Sequence, residues 1–371
     1  MNTDLRCALP ISAVDTISLA FQHTKRQILQ PFRFGQWTRL ALVGFLAGEL
    51  GSGSGCNAPS NFNFPQQPGA TRHLLGPTLP NIDPALLAVL IVVLVVAGLV
   101  LGIVLMYVSS VMRFILFDSV LAKECHIRAG WRRRQDPGMR YFLWKLLYTA
   151  VTIGGAVVLV GIPAGFAFAV GWLKEPRQHM AVLILGGILL FFVVMIFFVA
   201  LGVIYVLTKD FVVPQMALEN IGAMEGWRRL WAMMQAEKAG YAGYVGMKIV
   251  LAIGASIIVG IATLILVLII AIPTAGLGIV AVLTGRTAGL TWNLYTITMA
   301  VVVGCILFAI FLYLIALISV PVIVFFPAYS IYFFAARYPA LSSALYPPQS
   351  PPPSPLPPEA PPLPPAPVPI G

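Results

Sequence analysis

A carboxylate held against an imidazole is the simplest equipment for general acid–base chemistry, and this sequence offers few places to assemble it. Glu49 stands near the outer end of a short apolar run, WTRLALVGFLAGEL (37–50), and His73 and His179 fall in polar segments expected on the same side. An enzymatic site would have to be built from such distant partners. His23 and His126 lie in two further segments, so no cluster has metal-ligand spacing and no metal or other cofactor is expected. HExxH, GxSxG and a Gly-Lys-Ser/Thr phosphate loop are missing from the sequence. Cys7, Cys56, Cys125 and Cys305 are scattered, form no CxxC pair and give no reason to expect a disulfide. The expectation is a chain without a catalytic site.

The stronger pattern is basic and aromatic. Gly-Trp-Arg-Arg occurs twice, at Gly130–Arg133 and Gly226–Arg229, 96 residues apart. Aligned on it, RFILFDSVLAKECHIRAGWRRR (113–134) lies against KDFVVPQMALENIGAMEGWRRL (209–230). In the second copy Met224, Trp227, Trp231 and Met234 recur at three- and four-residue steps, with Glu225 and Arg229 on the far side. That is an amphipathic helix. An arginine at a bilayer centre costs roughly 2.5–3.5 kcal/mol, so these helices are expected to lie flat at the membrane surface, Trp at headgroup depth and Arg reaching phosphates or water. The candidate headgroup or partner contacts are Trp131, Arg132, Arg133, Arg134, Trp227, Arg228, Arg229 and Trp231. Residues 113–145 hold eight basic and three acidic side chains, and each basic residue near an anionic leaflet adds about 1 kcal/mol. The expected partners are anionic membrane lipids and a cytoplasmic protein. The plainer reading of the same residues is an anchor that fixes topology.

The elements that carry these residues follow from composition. Of 371 residues 59% are apolar and only 10% charged, against about 25% charged in soluble domains. Blocks such as ALLAVLIVVLVVAGLVLGIVLMYV (85–108) exceed the ~20 residues that cross a bilayer. The fold class is therefore all-α, a polytopic transmembrane helix bundle of about six spans: 37–52, 84–117, 146–172, 181–207, 244–272 and 291–335. Cytoplasmic amphipathic elbow helices join them in a repeated span–elbow–span unit, and residues 53–83 form an exposed loop. An N-terminal segment, 1–36, precedes this six-span domain, 37–336. It holds an interfacial helix started by a Ser12–Asp15 capping box, with Val14, Ile17, Phe21 and Ile28 on one face and Lys25 and Arg26 on the other. No cleavable signal is evident in MNTDLRCALPISAVDT. After Pro273 the glycine-broken text to residue 293 predicts a short re-entrant or interfacial piece. Residues 337–371 form a disordered proline-rich cytoplasmic tail; from Pro347 onward 14 of 25 residues are proline.

Nineteen of the 23 Lys and Arg fall in segments assigned to the inner side, which places both termini in the cytoplasm and the protein in the plasma membrane. The same asymmetry absorbs the net charge of +10, so no nucleic-acid partner is expected. The middles of spans two to six carry no ionisable residue, unlike those of ion-coupled transporters. Small residues at Gly98 and Gly102, Gly161 and Gly165, and Ala252, Ser256 and Gly260 are expected to bring spans together, and they leave homo-oligomerisation open.

Two further stretches complete a pattern. AVDTISLAFQHTKRQILQPFRFGQWTRLALVGFLA, the elbow LTKDFVVPQMALENIGAMEGWRRLW with its following span, and VPVIVFFPAYSIYFFAARYPALS resemble six-span bacterial and archaeal membrane proteins of unknown function. That group looks related to the membrane domain attached to some glycerophosphoryl diester phosphodiesterases. The resemblance covers about residues 12–340 and implies a fold and a plasma-membrane location. It implies no phosphodiesterase activity, because the catalytic barrel is absent from this sequence, and it gives no residue a catalytic role. The leading expectation is a non-catalytic membrane scaffold or lipid- and partner-interacting component. Its competitor is a permease for an apolar or amphiphilic solute.

Overall fold

The computed structural model describes residues 12–30, 32–49, 84–172, 177–287 and 294–346, and all regular structure among them is helical. The first helices are α1 (Asp15–Leu29), α2 (Phe34–Leu46), α3 (Pro84–Ala122), α4 (Ile127–Arg133) and α5 (Gln135–Ala169). Then come α6 (Met180–Leu207), a π-helical turn (Thr208–Val212), α7 (Val213–Glu219) and α8 (Ala223–Ala236). The chain closes with α9 (Lys238–Thr287), α10 (Leu294–Ala335) and α11 (Pro339–Leu345). The expected loop 53–83, Cys7, Cys56, His73 and the proline-rich segment from Pro347 lie outside the described residues.

Five helical stretches are long and apolar enough to cross a bilayer: 85–122, 135–169, 180–219, 238–278 and 295–335. This is a multi-pass membrane protein. Each stretch is also longer than a bilayer requires. The 39 residues of α3 reach about 58 Å at 1.5 Å per residue, against a hydrocarbon core of about 30 Å. The surplus builds a hub. Every residue of α3 from Ala85 to Leu105 is exposed, whereas Val111–Phe117 is buried. The other long helices divide likewise into an apolar arm and a hub end, where Tyr141, Phe211, Tyr244, Tyr329, Phe333 and Phe334 are buried together. Tyr244 stacks on Tyr329 at 5.2 Å, and Phe211 lies within 5.1 Å of both Tyr244 and Phe334, centroid to centroid. Such rings combine large buried area with favourable offset contacts.

Four sequence expectations change. The first span, 37–52, is instead α2, whose 13 residues extend only about 20 Å. It runs antiparallel to the hub end of α3: Gln36 Nε2 donates to the Lys123 carbonyl at one end, and Glu49 meets Arg113 at the other. Secondly, α1 turns a polar face inward. It buries Thr16, His23, Thr24 and Gln27, while Val14 and Phe21 are exposed. The reason is hydrogen bonding to α3 carbonyls: Gln27 Nε2 donates to Ser119 O (2.9 Å), and His23 Nε2 lies 3.0 Å from Val120 O. The Ser12–Asp15 pair does start this helix, with Asp15 N–H donating to Ser12 Oγ at 3.2 Å. Thirdly, α9 continues through Pro273 to Thr287 as one helix; the Thr274 hydroxyl donates to Ile270 O in the turn that the proline disrupts. Fourthly, a Cβ at Gly98, Gly102, Gly165 or Gly260 would meet nothing within 4 Å, so these glycines do not bring described spans together. The two described chain ends share the hub: Tyr329 Oη donates to Ala13 O (3.1 Å), and Leu341 of α11 is buried.

Candidate functional site: a buried ion cluster and an arginine-lined groove

Glu49 is positioned by the way α2 ends. Gly48 takes a left-handed conformation (φ +77°), and the Gly48 and Glu49 amides donate back to Phe45 O and Gly44 O. This Schellman stop uses glycine because a Cβ is disfavoured at that φ. It turns the Glu49 side chain, 2% exposed, into the hub, where it accepts from Arg113 and Lys209. Arg113 Nη2 also donates to Ala47 O at 2.9 Å, a cation on the negative end of a helix. Arg113 and Lys209 are themselves 96 residues apart, the offset of the two Gly-Trp-Arg-Arg copies. One acid thus ties the two repeats together.

The π-helical turn supplies the second acid. Pro214 cannot tolerate the carbonyl of residue 210 in a regular helix, and the chain widens so that Val213 N–H donates to Thr208 O. Lys209 and Asp210 are both buried by this turn. Asp210 accepts from Tyr244 Oη (2.8 Å) and from Lys248. Glu49, Arg113, Lys209, Asp210 and Ser330 help line a cavity of about 20 Å³, room for one water. Lys145 approaches on the arm side, donating to Ser109 Oγ at 3.1 Å. The acid expected near an outer end is therefore buried at the hub. His179 sits beyond the opposite end of the helix that carries Lys209, about 45 Å away along its axis, so Glu49 and His179 form no acid–base pair.

The repeated tetrapeptide has a packing role in both copies. A Cβ at Gly130 would lie 3.2 Å from the Ile115 side chain, and one at Gly226 would lie 2.7 Å from Val212 Cγ1. Trp131 packs edge-on against Tyr107 (6.2 Å), and Trp227 Nε1 donates to Thr208 Oγ1 (3.0 Å). Arg134 forms a two-pronged pair with Asp118, both bonds at 2.7 Å, and donates to Ala217 O of the other copy. Arg228 pairs with Glu225, and Arg229 with both Glu219 and Glu225. These two arginines hold the Glu225 carboxyl below its usual range. Of the eight predicted contact residues, Arg132, Arg133 and Trp231 stand exposed and uncommitted to such pairs.

Sequence reasoning missed a groove between α2 and α4. One hollow of about 550 Å³ is lined by Arg39, His126, Ile127, Arg128, Ala129 and Arg132. A second, of about 270 Å³, shares Arg39 and His126 and adds Arg33 and Glu124. Arg39 reaches it from the exposed side of α2, with Nη1 3.5 Å from Cys125 O. The available signal was the density of arginine in 128–134; the contribution of Arg33 and Arg39 had none.

Residues 11–344 match a family model described as a family of unknown function, DUF7544. The chain belongs to this family. No curated protein and no solved structure matches it. The DUF7544 match brings no link to the membrane domain of glycerophosphoryl diester phosphodiesterases, so that expected kinship is without support. For a DUF7544 chain, the ion cluster, the repeated elbow and the groove are the features from which a role has to be argued.

Proposed function

We propose that the chain is a non-catalytic scaffold of the plasma membrane, its arms crossing the lipid and its hub lying against the cytoplasmic leaflet. One observation carries this reading: tyrosine and tryptophan bracket two of the five arms at bilayer spacing. Tyr148 stands 21 residues before the end of α5 at Ala169, about 32 Å along the helix, with Trp172 just beyond it, and Tyr295 and Tyr313 stand 18 apart on α10, about 27 Å, as interfacial aromatic belts require. Trp131 meets Tyr107 where the arm of α3 begins, which supports α4 at headgroup level. The exposed Val14, Phe21, Phe32 and Phe34 give α1 and its neighbour an apolar face for the same interface. The N-terminal segment and the membrane domain keep their places in this reading, with α2 moved from span to hub and the cytoplasmic tail starting after α11, which packs Leu341 into the hub, rather than at residue 337. Its test is native purification followed by mass spectrometry of bound lipids and proteins. A variant with Arg132, Arg133, Arg228 and Arg229 all changed to Gln should shed anionic lipids or partners; unchanged lipid and partner sets would overturn the proposal.

A further inference from the structure

The two repeat copies differ in one electrical respect. In the second, Glu219 and Glu225 neutralise Arg228 and Arg229. Ninety-six residues earlier the positions of those acids hold Lys123 and Ala129, and the exposed Met224 of the second copy is replaced by Arg128. Among the described residues no carboxylate pairs with Arg128, Arg132 or Arg133. The first copy is electrically open, and α2 adds Arg39 and Arg33 along the same groove. The one acid on its walls, Glu124, lies 4.0 Å from His126 Nδ1.

We infer that the groove between α2 and α4 binds a phosphoryl group, with Arg39, Arg128 and Arg132 as its principal donors; this deepens the scaffold reading by naming the ligand of one elbow. Planar guanidinium forks match the oxygens of a phosphate bidentately and stay charged at every physiological pH. A carboxylate would occupy one such fork, whereas several arginines on facing walls suit a group with three or more anionic or acceptor oxygens. The larger hollow falls within the usual size of ligand sites. Depth agrees: Arg132 follows Trp131, which sits on Tyr107 at the arm's beginning. The phosphoryl group belongs either to a phospholipid headgroup or to a free phosphate ester.

The experiment uses the full chain in nanodiscs of phosphatidylcholine. Inorganic phosphate is titrated by calorimetry in one arm, and phosphatidic acid is introduced and counted by native mass spectrometry in the other. Saturable binding of one equivalent is expected, weakened about tenfold or more by Arg128→Gln or Arg132→Gln. Arg26→Gln removes the same charge from an exposed residue of α1 that lines neither hollow, and should leave binding unchanged. Lipid binding alone assigns a headgroup, and phosphate binding in neutral discs assigns a soluble ester. No saturable binding in either arm would overturn the inference, as would equal weakening by Arg26→Gln. Both altered side chains are exposed, and an unchanged melting midpoint verifies folding. If the groove fails while the four-arginine variant still sheds lipids or partners, the scaffold reading stands without it.

Discussion

Replacing Glu49 by Gln keeps the shape of the side chain and removes its charge. In the intact hub Glu49 separates two buried cations, and the side chains of Arg113 and Lys209 are only 6% and 5% exposed. The variant takes away the carboxylate that Arg113 and Lys209 share, so the buried layer gains one net positive charge. Breaking a buried pair by removing one partner costs about 3–5 kcal/mol, because the stranded ion keeps its desolvation penalty. Arg113 cannot escape by losing its proton. For a chain of 371 residues, at about 2.1 cal/mol/K per residue, that corresponds to a melting midpoint lowered by about 4–6 °C, measurable by circular dichroism of the protein in detergent. Adding Lys209→Met to Glu49→Gln removes one stranded cation and should recover part of the loss. A single variant that melts within about 2 °C of the parent would show that Glu49 does not sit between these cations, and the tie between repeats would be gone.

Other outcomes follow from the same packing. Burial holds the His23 ring below its ordinary pKa of 6.5, with Lys123 adding to the effect against the opposing Val120 contact. A depressed base contributes stability above its ordinary value and loses it as pH falls, so the midpoint should drop as pH falls below about 6.5, and His23→Gln should flatten that dependence. Gly226→Ala would drive a Cβ to 2.7 Å from Val212 Cγ1 in the π-helical turn. Overpacking of this kind costs about 1–3 kcal/mol, and Val212→Ala in the same chain should restore the midpoint; an undiminished Gly226→Ala protein would refute the close approach.

The spans were legible because lipid demands long apolar runs, and α3, α5, α6, α9 and α10 all fall on the predicted blocks. The repeat was legible because Gly-Trp-Arg-Arg is a local string. Its meaning was only half legible: the alignment pointed to the arginines, while the glycines and tryptophans serve contacts with α3 and the π-helical turn. Glu49 was misplaced because fourteen mostly apolar letters resemble a short span, and its partners lie 64 and 160 residues away. The Arg113–Lys209 correspondence at the repeat offset was the one available clue. For α1, apolar periodicity gave an interfacial face and no sign that Thr16, His23, Thr24 and Gln27 would be buried, a burial that carbonyls of α3 reward.

The most direct test of the account is the sidedness of the hub. With Cys7, Cys56, Cys125 and Cys305 replaced, single thiols are introduced as Arg132→Cys on α4 and Arg177→Cys beyond the far end of α5, both exposed positions. A membrane-impermeant maleimide added to intact cells should label position 177 and reach position 132 only after permeabilisation. Labelling of position 132 from outside, with position 177 protected, would place the hub on the wrong face and contradict the account.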